Sequence, residues 1–231
     1  MPKNNLVPLL SQLNLTPKNE HLIHNAFVHR SYLNESKDFE ESNERLEYLG
    51  DAVLELIVSQ YLFESYPDFQ EGMLTNLRAA LVRTESLALV ATELGFPPLL
   101  LMSKGEEATG GRQNISILAD TFEAFLGALY LDQGLVPCQQ ILEVHLLPQT
   151  KTILKTQAYK DNKSLLQEIA QARYKATPLY SLLTESGPDH DKNFVMQVTI
   201  DGKNYAEGQG KSKQAAQEDA AYHTLEQITK S

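Results

Sequence analysis

From Leu6 to about Glu143, apolar residues recur at spacings of three and four, and polar or turn-forming residues separate the runs. That rhythm is the mark of amphipathic helices. It predicts helices over 20–33, 42–66, 71–94, 115–132 and 137–155. The second must stop before Pro67 and the third before Phe96-Pro97-Pro98, because proline lacks an amide hydrogen and restricts the residue before it. Gly105 to Gly111 reads as a polar loop, and 148–163 as a helix end followed by a short linker. Beyond the linker the rhythm changes. Ser164 to Tyr174 is amphipathic helix, Leu179 to Thr184 a strand, and Phe194 to Ile200 an alternating, half-buried strand. Asp201-Gly202 is a hairpin turn signal, Asn204 to Gly208 a third strand, and Lys213 to Ile228 an Ala-rich helix. The expected fold is therefore an all-α domain over 1–155, a linker over 156–160, and a small α+β domain of order αβββα over 161–231. There is no internal repeat and no low-complexity tract.

Composition narrows this picture. With 231 residues, 42% hydrophobic and 22% charged, the chain can bury an ordinary globular core. The single cysteine, Cys138, excludes an intrachain disulfide and a cysteine-based zinc site, and beside Pro137 it reads as a small buried filler. No apolar run approaches the roughly 20 residues of a membrane span, and the first residues lead into no signal-like segment. The expectation is a cytoplasmic protein with no membrane partner, in which the sequons at Asn34, Asn114 and Asn162 are chance matches. Net charge is −10, of which −9 lies in 1–159 and −1 in 160–231. The acidity is therefore local, and a poor argument against a nucleic-acid partner.

The local acidity has a pattern. In Asn43-Glu44-Arg45-Leu46-Glu47-Tyr48-Leu49-Gly50-Asp51-Ala52-Val53-Leu54, Glu44, Glu47 and Asp51 fall at spacings of three and four, which a helix places on one stripe. Leu46, Leu49, Val53, Leu56 and Ile57 take roughly the opposite side, although Val58 and Leu62 continue the acid stripe and Glu55 lies on it. Asp120 and Glu123 repeat the device in Ala119-Asp120-Thr121-Phe122-Glu123-Ala124, on the side away from Leu118, Phe122, Phe125 and Leu129. On spacing alone a solvated acidic face explains this. The sharper reading is a cage of hard oxygen ligands for Mg²⁺, with Mn²⁺ as a substitute, since a divalent ion activates water and shields a phosphodiester in transition. No nucleophile elbow, P-loop or His-Glu-x-x-His supports a rival hydrolase or a nucleotide cofactor.

These residues resemble ribonuclease III, the endonuclease of double-stranded RNA. Asn43–Leu54 looks like that family's signature, with Tyr48 where Phe is common. The likeness continues in order through Ala26–Tyr32, Glu71–Thr75, Leu77–Val82, Gly110–Arg112, Ser116–Asp120 and Gly127–Gly134. The resemblance implies metal ligands at Glu47, Asp51, Asp120 and Glu123, with Asp51 and Glu123 tied most closely to the chemistry. It gives Glu44 and Glu71 lesser places in the cleft. Arg45 is expected to pair with nearby acids, and His29, alone between apolar residues, to be structural. The second domain resembles the double-stranded RNA-binding domain at Leu165–Glu168, Gly187–Phe194 and Gly208–Ala216. That implies RNA contacts from Ser164, Gln167, Glu168 and Gln171 in one minor groove and His190 in the next, with phosphate contacts from Lys211 and Lys213. Gln214 stands where a second lysine is common, which is expected to weaken binding. The implied protein is a homodimer that hydrolyses duplex RNA in precursor ribosomal and messenger RNA, leaving 5′-phosphate and 3′-hydroxyl ends with short 3′ overhangs. The rivals are a protein that holds duplex RNA without cutting it and, ranked last, a metalloenzyme that ignores RNA.

Overall fold

The computed structural model describes residues 5–188 and 191–229. It divides into two compact units, Met1–Tyr159 and Lys160–Ser231. The first is helical: α1 (Val7–Gln12), α2 (Glu20–Asn25), α3 (Glu44–Ser65), α4 (Glu71–Leu81), α5 (Thr84–Glu93), α6 (Lys104–Ala108), α7 (Ile115–Gln133), α8 (Leu135–His145) and α9 (Gln149–Thr156). Short 3₁₀ turns lie at Arg30–Asn34, Pro97–Leu99 and Gly111–Gln113. Among the described residues no helix is long and apolar enough to cross a membrane.

Helix α7 is the axis of this unit. Ile117, Leu118, Ala119, Phe122 and everything from Ala124 to Leu129 are buried, so the helix is covered nearly all round. Phe27, Phe96, Phe122 and Phe125 cluster beside it, with Phe27 and Phe96 edge to face at 4.9 Å. The face of α7 carrying Asp120 and Glu123 is therefore no solvent face, as the spacing alone allowed. Helix α3 lies directly on it at a crossing of two glycines. A Cβ on Gly50 would stand 1.7 Å from the Glu123 carbonyl oxygen, and one on Gly127 would stand 2.2 Å from that of Leu46. Backbone meets backbone there, which only glycine permits.

Three expected helices are broken. The 20–33 segment stops at Asn25. After a turn at Ala26-Phe27, Val28 pairs with Leu101: the Leu101 amide donates to the Phe27 carbonyl at 2.8 Å, and the His29 amide donates to the Leu101 carbonyl at 2.9 Å. The 71–94 segment breaks at Val82-Arg83, where Arg83 is extended (φ −64°, ψ 151°) although no glycine or proline marks it. The 137–155 segment begins two residues early, since Pro137 falls in a first turn whose amides need no partner, and it divides before Pro148. Within the expected loop, Ser103 caps the short α6 by accepting from the Glu106 amide at 3.2 Å. Leu56, assigned to the core side of α3, is 56% exposed.

The second unit runs α10 (Asn162–Tyr174), β1 (Leu179–Ser186), β2 (Asn193–Ile200), β3 (Lys203–Gly210) and α11 (Lys213–Thr229). The strands form an antiparallel sheet in the order β1-β2-β3. Asp201 and Gly202 make the β2–β3 turn, both with positive φ. Leu166, Ala170, Val198, Ile200, Ala220, Ala221, Leu225 and Ile228 form its core. The alanines of α11 let it approach closely: a Cβ on Gly208 would meet the Ala220 amide nitrogen at 2.0 Å.

Gly50→Ala is expected to force α3 and α7 apart. Overpacking of this kind costs about 1–3 kcal/mol, enough to lower the melting temperature of a chain this size by roughly 3–10 °C. An unchanged melting temperature, measured by circular dichroism, would contradict the backbone contact.

Candidate functional site: an acidic cluster between two helices

The glycine crossing determines where the acids go. Gly50 lies between Glu47 and Asp51 in sequence, and its nearest contact on α7 is the Glu123 carbonyl. Glu47, Asp120 and Glu123 each bring one carboxylate oxygen to within 4.8 Å of the other two. Asp51 is more exposed and stands outside that trio, yet its charge acts on both Glu47 and Glu123. Of the four expected ligands, three converge and the fourth flanks them.

Burial and mutual repulsion leave a strong electrostatic mark. Burial, followed by the charges of Asp51, Asp120 and Glu47, pushes Glu123 up to about 8. Burial, then Asp120, Glu44 and Asp51, raises Glu47. Burial raises Asp120 as well, and His29 acts in the opposite direction. A cation in the midst of these groups would reverse all three shifts. The donors suit a hard ion, because carboxylate oxygens are the ligands that Mg²⁺ takes.

A cleft of about 540 Å³ opens beside the trio, lined by His29, Arg30, Asn43, Glu44, Glu47, Glu106, Asn114, Ile117 and Asp120. Its floor is fixed by Asn43, which is buried, donates from its amide to the Val28 carbonyl at 2.9 Å and from Nδ2 to the Ala26 carbonyl at 3.2 Å. Glu44 lines the cleft without joining the trio; it accepts from the Ser42 hydroxyl at 2.9 Å and faces Arg30 at 3.9 Å. Glu71 is elsewhere. It lines an apolar groove with Leu56, Phe63, Phe69 and Leu74 and accepts from the Thr75 hydroxyl. Its expected place in the acid cleft is not found within a single chain, because α4 meets the far end of α3. Arg45 pairs with Glu41 at 3.1 Å, as its surroundings suggested.

Two features escaped the sequence reading. His29 lines the cleft beside Asp120 rather than sitting apart from it. Asp132, buried at the end of α7, accepts from the amides of Lys18 and Asn19 at 2.9 and 2.7 Å and so anchors the chain before α2. Burial opposes its charge, but these hydrogen bonds hold its carboxyl below the usual range. Both features join residues far apart in the chain, which no local pattern reports.

On the second unit, Ser164, Gln167, Glu168 and Gln171 line one shallow groove on α10 with Ala172 and Lys175. The Ser164 hydroxyl donates to Asp161, the N-cap, at 2.9 Å. Lys211 pairs with Asp191 at 2.7 Å, and the Lys213 ammonium stands 5.9 Å from the centre of the Phe194 ring. His190 lies outside the described residues.

A family profile described as Ribonuclease-III-like matches residues 19–150, and one described as the double-stranded RNA binding motif matches 162–228. Ribonuclease 3 of Syntrophobacter fumaroxidans is 45% identical over 98% of this chain and 96% of its own length. Ribonuclease 3 of Bacillus velezensis is 49% identical over 92% of this chain and 86% of its own. Among solved structures, the nuclease domain of ribonuclease III from Campylobacter jejuni, in which a flexible region is involved in dimer formation, superposes with a TM-score of 0.57. It is 38% identical and aligns over 62% of this chain and 99% of that domain. Carrying the acid cluster within the first matched segment and the αβββα unit within the second, the chain belongs to the ribonuclease III family.

Proposed function

We propose that this protein is a metal-dependent endoribonuclease that cleaves both strands of duplex RNA, leaving 5′-phosphate and 3′-hydroxyl ends with short 3′ overhangs. The observation that carries the reading is the convergence of Glu47, Asp120 and Glu123 across two helices, with Asp51 beside them. Those four acids are the residues that would hold Mg²⁺, or Mn²⁺ in its place. When bound there, a divalent ion would supply a more acidic water and positive charge to offset that of the phosphate. The protein contributes the rest. Glu47, Asp120 and Glu123 fix the site on two helices, and Asp51 lies beside them nearer solvent. Burial and its acidic neighbours favour the neutral form of Glu123, and a bound cation would favour its carboxylate. No protein nucleophile is needed.

The groove on α10 suits a shallow RNA minor groove, where polar side chains reach 2′-hydroxyls, and such a domain spans about 16 base pairs with little sequence reading. The reading therefore assigns residues 1–155 to catalysis and 161–231 to RNA binding. It places the protein in the cytoplasm on stem-loops of precursor ribosomal and messenger RNA. Exposed Tyr48, Leu56 and Phe63 on α3, with the apolar groove that also holds Glu71, favour a homodimer, which would bring two clusters to one duplex.

The deciding experiment incubates a defined RNA hairpin with the protein and Mg²⁺ and maps the ends. Glu123→Gln should lower cleavage by more than the roughly 10–100-fold that loss of a mere outer-shell partner costs, while gel-shift binding persists. Wild-type protein that shifts duplex RNA but leaves it whole in Mg²⁺ and Mn²⁺ would favour the binding-only rival. Lys211→Ala should weaken binding at all sequences and reduce the log–log salt slope by about 0.9 if its phosphate contact behaves as on a B-form duplex.

Metal-free stability should depend on pH. The folded Glu123 carboxyl is raised from 4.5 to about 8, so its contribution is complete below the unfolded value and declines as pH rises through the folded one. The melting temperature of metal-free protein should fall between about pH 5 and 9. Mg²⁺ should offset the fall, and Glu123→Gln should flatten it.

A further inference from the structure

We infer that His29 is a positioning residue for Asp120, presenting its Nε2–H toward the outer oxygen of that carboxylate through one water, and so strengthening metal binding at the cluster. This inference rests on the cluster being a metal site, as proposed above.

The backbone around His29 is held from two sides. Its amide donates to the Leu101 carbonyl, and the neighbouring Val28 carbonyl accepts from the Asn43 amide at the head of α3. The ring therefore stands at a fixed place between α3 and the 101–103 segment, lining the same cleft as Glu47, Asp120, Asn114 and Ile117. Its Nδ1 is used locally. Ser31, the second residue of the 3₁₀ turn that His29 caps, directs its amide at Nδ1, at 3.4 Å, and its hydroxyl lies 2.8 Å from the same atom. That hydroxyl oxygen already accepts from the Ser103 amide at 3.0 Å, which leaves its proton available for Nδ1. A proton on Nδ1 would face the Ser31 N–H, donor against donor. The contacts thus assign the acceptor role to Nδ1 and the hydrogen to Nε2. Nε2 has no hydrogen-bond partner among the described residues, and it is the ring nitrogen left to serve the cleft.

Asp120 is the acid that gains from this. Once one of its oxygens turns to a cation the other needs a donor, and outer-shell donors of this kind orient ligating carboxylates. Burial raises the Asp120 carboxyl and His29 acts to lower it, which fits a ring placed close by. The other charged groups around the cleft are Arg30, which faces Glu44, and the acids Glu47 and Glu106. Arg30, the cation among them, is drawn to Glu44.

The test uses full-length protein without RNA. Mn²⁺ binding is read from loss of the free-ion electron paramagnetic resonance signal for wild type, His29→Phe and His29→Gln. Glutamine keeps an N–H near the place of Nε2; phenylalanine keeps only the ring. Phe should weaken Mn²⁺ binding by about 10–100-fold, and Gln should restore most of the loss. Equal affinities for wild type and His29→Phe would overturn the assignment, as would equal losses in both variants. Wild-type protein needs no variant for the second readout: ¹H–¹⁵N correlation spectra of the histidine rings should show His29 as the Nε2–H tautomer, and an Nδ1–H tautomer overturns it. Because both readings are taken without substrate, they stand apart from cleavage. A wild type that binds Mn²⁺ far more tightly than His29→Phe yet leaves duplex RNA intact supports the role of His29 and defeats the nuclease reading. A wild type that binds no Mn²⁺ overturns both.

Discussion

The contact between Gly50 and Gly127 is the constraint on which the first unit depends. Helices that pack through side chains keep their axes 8–10 Å apart. Here two bare backbones touch, and the helices come closer than almost any other residue would allow. Three carboxylates carried on the flanks of that crossing, those of Glu47, Asp120 and Glu123, are pressed into a space where partial burial disfavours their charge and, for Glu47 and Glu123, neighbouring acids add repulsion. The buried aromatic cluster around Phe122 and Phe125 and the aliphatic shell of α7 hold the pair together against that repulsion. The site is a strained electrostatic arrangement imposed by a well-packed core.

Much of this was legible in the chain. The acids at 44, 47, 51, 120 and 123 stand out because helical spacing is a local property, and α3 ends before Pro67 for a reason one residue supplies. The second unit follows its pattern closely, since alternation in β2 and the Asp201-Gly202 turn are both short-range signals. The break at Val82-Arg83 carries no breaker residue, and α4 and α5 present similar apolar stripes on either side of it. The strand-like pairing of Val28 with Leu101 interrupts a segment whose own spacing was helical. Leu56 followed the core period and is nonetheless exposed, as is Phe63 one heptad on.

His29 shows the same limit at the level of chemistry. A histidine between Val28 and Arg30 carries no visible partner in sequence, and the structural reading was the reasonable one. Its environment is assembled from Ser31, Ser103 and Asp120, which belong to three separate segments. Asp132 makes the converse point: a lone acid at the end of an apolar helix serves the fold by satisfying the amides of Lys18 and Asn19. Charge type did not separate the two roles; long-range placement did.

The half-buried Glu123 also bears on how such a protein changes over generations. Its neutral amide counterpart would relieve repulsion in the empty cluster while leaving the glycine crossing and the αβββα unit untouched. A lineage released from the need to cut can therefore drift downhill in free energy toward an inert scaffold that still grips RNA. Only continued selection on turnover keeps so unfavourable a carboxyl in place.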